Sequence, residues 1–114
     1  MHELGIVTHV IRTIEETCTE NHLTHVGSVT LQIGEVSGIV PSYLTDCWKW
    51  AAEKSEVLKG SELKIEMTEA ITDCLDCHQS YRTVEYGKEC PFCHSTHTVL
   101  NHGTECSIKE IFAE

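Results

Sequence analysis

The 114-residue sequence predicts an α+β fold, in which a three-stranded mixed sheet with two helices is interrupted by a zinc-ribbon-like zinc module with four cysteine ligands. Three observations lead to this prediction. Apolar residues recur at helical spacing near the N-terminus, and later segments alternate between apolar and polar residues. Two Cys-x-x-Cys pairs, separated by twelve residues, interrupt that alternating pattern.

The first predicted helix covers residues 3–21. Its apolar side chains recur at steps of three and four residues and form one stripe, which consists of Leu4, Val7, Ile11, Ile14 and Cys18. A second helix is predicted to begin at Pro41, because proline is favoured in the first turn of a helix. Its predicted buried residues are Tyr43, Leu44, Cys47, Trp48 and Ala51. We expect both helices to pack on one face of the sheet.

Alternating apolar and polar residues predict three strands, near residues 28–34, 62–67 and 106–112. A helix separates the first two strands, which is the arrangement of a parallel crossover. The third strand is expected to return to the same sheet after the cysteine-rich segment. We therefore predict a split domain, formed by residues 1–71 plus 104–114, that carries residues 72–103 as an inserted zinc-binding domain.

The paired cysteines have the spacing of two zinc knuckles that together bind one tetrahedral ion, and they are Cys74, Cys77, Cys90 and Cys93. Four thiolates close the coordination sphere, so the predicted role of this zinc is structural. The apolar residues of the insert, which we expect to cover the metal, are Tyr81, Val84, Tyr86, Phe92, Val99 and Leu100. They are too few to fold the insert alone, so metal binding and folding should be one event.

Three other interpretations of these cysteines remain open. Disulfides require an oxidising compartment, whereas the acidic start of the chain does not resemble a signal peptide, and we expect a cytoplasmic protein. His78 and His94 complete two Cys-x-x-Cys-His patterns of c-type haem attachment, but two haems would overwhelm so small a segment. Iron bound by four thiolates fits the spacing as well as zinc does.

The composition excludes two classes of partner. A net charge of −10 repels phosphate backbones, so no nucleic acid is expected as a partner. No segment approaches the roughly 20 apolar residues of a membrane span, so no membrane is expected either.

The first three residues offer a different donor set. Met1 carries the α-amino group, His2 an imidazole and a backbone amide, and Glu3 a carboxylate. Nitrogen donors on consecutive positions form small chelate rings, and a tetragonal field of this kind favours Ni(II) or Cu(II) over zinc. A disordered terminal histidine is the alternative interpretation of His2.

Several of these segments together resemble the HypA/HybF family of hydrogenase nickel-incorporation proteins. The resemblance rests on Met1-His2-Glu3-Leu4 before a long helix, on Gln32-Ile33-Gly34-Glu35 at the end of a strand, and on the paired cysteines with Cys90-Pro-Phe-Cys-His-Ser95. It covers essentially the whole chain.

The resemblance implies a nickel metallochaperone that serves the maturation of [NiFe]-hydrogenases and, in some bacteria, of urease. It implies nickel at His2, with Met1 and Glu3 as neighbouring ligands, and zinc at the four cysteines. The implied partners are the nickel GTPase HypB and the hydrogenase large subunit, and we expect a monomer or a weak homodimer. The split domain would then be the nickel-binding domain.

Other interpretations remain for the function and for the remaining residues. A zinc-ribbon adaptor that bridges proteins without nickel is the alternative function, and a metal-dependent hydrolase would need the open zinc site that four cysteines deny. His78 and His94 either tune the zinc thiolates or are exposed loop residues. The cysteines outside the knuckles, Cys18, Cys47 and Cys106, are predicted to be small buried residues.

Overall fold

The computed structural model describes residues 3–114. Its elements in chain order are α1 (Glu3–Glu20), β1 (Val26–Gly34), α2 (Pro41–Ala52), β2 (Glu62–Thr68), β3 (Ile71–Cys74), β4 (Ser80–Arg82), α3 (Thr83–Tyr86), β5 (Thr98–His102) and β6 (Cys106–Ala113). The strands form two three-stranded sheets, which confirms the predicted α+β class. Within residues 3–114, no helix combines the length and the apolar character that a membrane span requires.

The first sheet has the order β2-β1-β6, with β1 in the centre. Strands β1 and β2 run in the same direction. The N–H of Val26 donates to the C=O of Val57 at 2.9 Å, and beyond the other end of the strand the N–H of Glu35 donates to the C=O of Thr68 at 3.0 Å. Because α2 connects these strands, the pair forms the expected crossover unit.

Strand β6 pairs with the other edge of β1 in the antiparallel direction. The N–H of Glu114 donates to the C=O of His25 at 2.7 Å, and the N–H of Gly34 donates to the C=O of Glu105 at 2.8 Å. The chain therefore returns to the first sheet after forming the second one. The first sheet is mixed, as the sequence predicts.

The described residues divide into two compact units. The first unit combines the chain up to Leu31 with Ile39–Glu66 and Ser107–Glu114. The second unit combines Gln32–Gly38 with Met67–Cys106 and contains the whole second sheet. The functional domain boundaries proposed from the sequence stay a prediction.

The core of the first unit is formed by the buried sides of both long helices and by the start of β1. Its fully buried side chains include Val7, Ile14, Cys18, Val26, Val29, Leu31, Leu44, Trp48 and Leu58. Trp48 is the largest of them, and its indole N–H donates to the hydroxyl oxygen of Ser61 at 3.1 Å. This bond satisfies the single polar atom of the side chain, so the indole is buried without an unpaired donor.

Three of the predicted core positions are wrong. Leu4 is 47 % exposed and Tyr43 is 60 % exposed. Glu3 occupies the buried end of the α1 stripe instead of Leu4. Successive residues of a helix are about 100° apart around its axis, so Tyr43 lies on a different side of α2 from the buried Leu44.

Cys106 is exposed because it opens β6, the edge strand of its sheet. Among the other two cysteines outside the knuckles, Cys18 is buried as predicted and Cys47 is half-buried.

The second sheet has the order β4-β3-β5, and both pairs are antiparallel. The sequence pattern does not reveal it, because its strands have only 3, 4 and 5 residues, too few to show a period. The buried cluster of this unit consists of Cys74, Tyr81 and Cys90, with Cys77 packed against them. The other apolar residues expected to cover the metal, Val84, Tyr86, Phe92, Val99 and Leu100, are exposed.

Gly34, at the end of β1, is packed against the main chain of Gly103. A Cβ atom at Gly34 would overlap the carbonyl group of Gly103, and a Cβ atom at Gly103 would overlap Ala70. Carboxylates fix the same segments, because Glu35 accepts the N–H of Ala70 at 2.7 Å and Glu105 accepts the N–H of Gly103 at 2.7 Å. Glycine is therefore required at Gly34 for close approach of the backbone.

This contact generates a stability prediction with a matched control in the same strand. Gly34→Ala should lower the free energy of unfolding by about 3 kcal/mol or more, since backbone has to move to admit the methyl group. Gly27→Ala should change it by less than about 0.5 kcal/mol, because the nearest atom, the carbonyl oxygen of Phe112, lies 3.9 Å from the added carbon. Urea denaturation of both variants measures the difference, and equal stabilities would contradict the packing argument.

Candidate metal centre

Four cysteine sulfurs converge at one point of the second unit. The Sγ atoms of Cys74, Cys77, Cys90 and Cys93, the four-cysteine cluster, all lie within 4.8 Å of one another. Two sulfur pairs join different knuckles, with 3.6 Å between Cys74 and Cys93 and 3.6 Å between Cys77 and Cys90. These separations far exceed the S–S bond of about 2.05 Å, so the four thiols are not paired as disulfides.

The two knuckles, residues 74–77 and 90–93, fold in the same way. The N–H of His78 donates to the C=O of Cys74 at 3.0 Å, and the N–H of His94 donates to the C=O of Cys90 at 2.8 Å. Both histidines have a φ of 63°. This left-handed conformation is uncommon outside glycine, and histidine is among the side chains that tolerate it best. The chain turns back after each knuckle through these residues, and both side chains are exposed.

Backbone N–H groups point at two of the sulfurs. The N–H of Cys77 lies 3.5 Å from the sulfur of Cys74, and the N–H of Phe92 lies 3.4 Å from the sulfur of Cys90. The bond from Cys77 is the main cause that lowers the pKa of Cys74 to about 7. Donors of this kind stabilise a thiolate, which is the form that binds metal.

The pKa values of Cys93 and Cys77 are raised instead. The N–H of Ser95 acts to lower the pKa of Cys93, but burial and the neighbouring thiols outweigh it and raise this pKa to about 12. The pKa of Cys77 is raised as well: the N–H of Gln79 acts to lower it, and burial with the Cys90 thiol outweighs that effect. Several negative charges this close together require a cation between them.

The cluster fits a tetrahedral zinc ion. With Zn–S bonds of about 2.3 Å, the sulfurs of a tetrahedral site are separated by about 3.8 Å. The 3.6 Å pairs agree with that separation, and no pair of the four sulfurs is more than 4.8 Å apart. Within residues 3–114, no second group of three or more histidine, cysteine or acidic side chains is close enough to hold an ion.

A polar network that the sequence analysis missed joins the two knuckles. The carboxylate of Asp76, inside the first knuckle, accepts the hydroxyl of Ser95 and lies 3.2 Å from Nδ1 of His97. These two partners, Ser95 first, hold the pKa of Asp76 below its usual range. The two-residue spacing of Ser95 and His97 after the second knuckle carries no recognisable motif, so only the structure brings them to Asp76.

The predicted nickel ligands lie at the N-terminus. Met1 and His2 lie outside the described residues. Glu3 stands in the first turn of α1, is only 5 % exposed, and accepts the N–H of Val40 through Oε2 at 3.1 Å. Because Val40 immediately precedes α2, this carboxylate lies at the N-terminal ends of two helices, where their dipoles favour negative charge.

Comparison with known proteins identifies the family. The model of a family described as HypA, hydrogenase/urease nickel incorporation, metallochaperone, matches residues 1–113. The chain belongs to the HypA family. This family consists of nickel metallochaperones for hydrogenase maturation, so the resemblance noted in the sequence is confirmed, as is the combination of an α+β fold with a four-cysteine site.

Individual HypA relatives agree with this assignment. The hydrogenase maturation factor HypA of Methanocella arvoryzae is 40% identical over 74 residues, which span 65% of this chain and 65% of that protein. HypA of Geotalea uraniireducens is 34% identical over 87 residues, spanning 75% of this chain and 74% of the relative. The solution structure of the Ni metallochaperone HypA from Helicobacter pylori matches this chain with a TM-score of 0.74 at 25% identity. The match covers 99% of this chain and 97% of the Helicobacter pylori chain. A second HypA solution structure has a TM-score of 0.76 at 27% identity and covers 100% and 97%.

The four-cysteine cluster generates a folding prediction. Cys74→Ser should abolish tight metal binding and disorder residues 72–103, because the buried cluster of this unit consists largely of the metal-binding sulfurs. Metal binding to structural sites of this type contributes on the order of 10 kcal/mol. Cys106→Ser, at an exposed cysteine, should leave both properties unchanged. Metal analysis together with amide NMR dispersion measures both, and a well-dispersed, metal-free spectrum of Cys74→Ser would refute the prediction.

Proposed function

We propose that this protein is a nickel metallochaperone that binds Ni(II) at its N-terminus and delivers it to [NiFe]-hydrogenase, with urease as a second client. The family match over residues 1–113 carries the proposal, since it includes the N-terminal donor set and the four cysteines. The protein's role is binding and transfer, so we propose no catalytic activity. We place it in the cytoplasm, where hydrogenase maturation would take place.

Zinc is the ion that we propose for Cys74, Cys77, Cys90 and Cys93. When bound, it supplies a structural cross-link and compensates the charge of four thiolates. The cysteines would hold the two knuckles together, and the N–H of Cys77 directed at the sulfur of Cys74 favours the ionised form of that thiol. Iron bound by the same four cysteines would be distinguished from zinc by the colour of the protein.

Nickel is cargo, and we propose that the amine of Met1, the imidazole and amide of His2, and Glu3 bind it. The buried contact between the Glu3 carboxylate and the N–H of Val40 supports this proposal. It fixes Glu3, the third residue of the proposed donor set, to the start of α2, so the donors would stand on an anchored stretch of backbone. The split domain of residues 1–71 plus 104–114 would be the nickel-binding domain, and residues 72–103 the zinc-binding domain.

Delivery requires a partner that takes the nickel by ligand exchange. We propose the nickel GTPase HypB and the hydrogenase large subunit for this role, with the carrier acting as a monomer or a weak homodimer. The net charge of −10 favours basic docking surfaces on these partners.

Nickel titration of the zinc-loaded chain tests the N-terminal site. One glycine added before Met1 should abolish tight binding, because it converts the amine into an amide. His2→Ala should be as damaging, and Glu3→Gln less so, since glutamine keeps an oxygen acceptor for Val40. His9→Ala is the matched control, because His9 is an exposed histidine of α1. Nickel affinity should also fall steeply below pH of about 6.5, where free imidazole becomes protonated.

Zinc content should stay constant in all of these variants. Equal nickel affinity of the native and glycine-extended chains would remove the amine from the ligand set. Absence of nickel binding in the native chain would overturn the proposed function and leave the zinc-ribbon adaptor as the better explanation.

A further inference from the structure

Three side chains form a bridge between the two knuckles. Asp76 belongs to the first knuckle, and Ser95 and His97 follow the second. Besides the two bonds to the Asp76 carboxylate, the N–H of His97 donates to the hydroxyl oxygen of Ser95 at 3.0 Å, and the N–H of Leu75 donates to the C=O of His97 at 2.9 Å. We call Asp76, Ser95 and His97 the knuckle bridge.

The bridge restrains the motion that would change the coordination geometry. In a tetrahedral site, the plane through the metal and the two sulfurs of one knuckle is perpendicular to the plane through the metal and the two sulfurs of the other knuckle. A square-planar site needs the two planes to coincide, so one knuckle has to rotate by about 90° relative to the other. The bridge joins the tip of the first knuckle to the segment that leaves the second, and this rotation would break its bonds.

Metal selectivity is a particular problem for a nickel carrier that also contains four thiolates. The intrinsic affinities of nitrogen and sulfur sites do not strongly favour zinc over nickel, so selectivity depends on geometry. Zinc accepts a tetrahedron of sulfurs without preference from its d-electrons, whereas square-planar coordination is a geometry of Ni(II). A cluster held tetrahedral therefore disfavours the cargo ion.

We propose that Asp76, through Ser95 and His97, fixes the relative orientation of the knuckles and thereby excludes nickel from the four-cysteine cluster. Asp76 is a positioning residue in this proposal, because it acts on the metal only through the orientation of the cysteines. The inference rests on the proposed function only in taking nickel as the cargo.

The chain offers a matched control for Asp76. Asp73 lies in β3 of the same unit, and its carboxylate also accepts two side-chain hydrogen bonds, from Ser80 at 2.6 Å and from Asn101 at 2.9 Å. These partners belong to the second sheet rather than to the opposite knuckle. Removal of Asp73 should disturb the unit to a similar extent without releasing the rotation.

The experiment challenges the zinc-loaded full-length chain with excess Ni(II). Zinc release is followed with a colorimetric chelator, and nickel entry with the thiolate-to-nickel charge-transfer absorption in the near ultraviolet. Asp76→Ala should release zinc about 10- to 100-fold faster than the native chain, the range typical of lost outer-shell partners, and should gain the absorption band. Asp73→Ala should behave like the native chain, and Asp76→Asn should lie between the two.

The ratio of thiolate-bound nickel, measured by the charge-transfer band, to bound zinc separates specificity from simple loss of structure. A variant that is only destabilised loses both metals from the four-cysteine cluster in proportion, whereas a released rotation shifts this ratio toward nickel. Cobalt substitution gives a second measure, because the d–d bands of tetrahedral Co(II) should weaken in Asp76→Ala and persist in Asp73→Ala. Unchanged zinc retention and nickel exclusion in Asp76→Ala would overturn the proposal, and so would proportional loss of both metals.

Failure of this proposal is distinguishable from failure of the proposed function. Nickel bound by nitrogen donors at the N-terminus gives no thiolate charge-transfer band, so the two sites report separately. Loss of the N-terminal site through His2→Ala should leave the behaviour of the four-cysteine cluster unchanged in the native and Asp76→Ala backgrounds.

Discussion

The confinement of four thiols within 4.8 Å is the constraint on which the second unit depends. Thiolates this close repel one another, and the neighbouring thiols contribute to the raised pKa of Cys93. At the same time three of these cysteines belong to a buried cluster of the unit, which consists of Cys74, Tyr81 and Cys90 with Cys77 at its side. The groups that repel one another without metal are thus the same groups that form the core. We therefore expect metal binding and folding to be coupled in this unit.

The first unit is stabilised in a different way. Its helices bury apolar stripes that include Ile14, Leu44 and Trp48, and among the residues described this core contains no cluster of three or more side chains that could hold a metal ion. The exception to its apolar character is Glu3, a buried carboxylate that is held by the N–H of Val40. Burial of a carboxylate is costly unless it is hydrogen-bonded, so its presence at the start of α1 indicates a role that leucine could not fill. The position adjoins the proposed nickel donors.

The sequence is sufficient to predict the helices and strands whose apolar pattern repeats over many residues, and it is sufficient to predict the four cysteines that converge. The α1 stripe, the strand before Gly34 and the cysteine spacing each depend on residues that are close in the chain. The second sheet escapes prediction because its strands are too short to show alternation. The burial of Glu3 escapes it too, since a carboxylate on an apolar stripe contradicts the usual pattern. The bond between Asp76 and Ser95 joins residues on either side of the cluster, and its existence depends on how the metal module folds.

Under the function that we propose, the carrier has two metal sites that need opposite kinetic properties. A donor set at the end of a chain exchanges readily, because the terminal residues can leave the metal one at a time. The four-cysteine cluster is formed by two knuckles that are separated in the sequence. Release of a bound ion would require the two knuckles to move apart, and the backbone bonds and the knuckle bridge between them oppose that motion. Affinity alone would not direct nickel to the first site and zinc to the second, since thiolates bind both. Under the proposed function the separation of roles would follow from geometry, because consecutive nitrogen donors suit a planar ion and a fixed tetrahedron of sulfurs suits zinc.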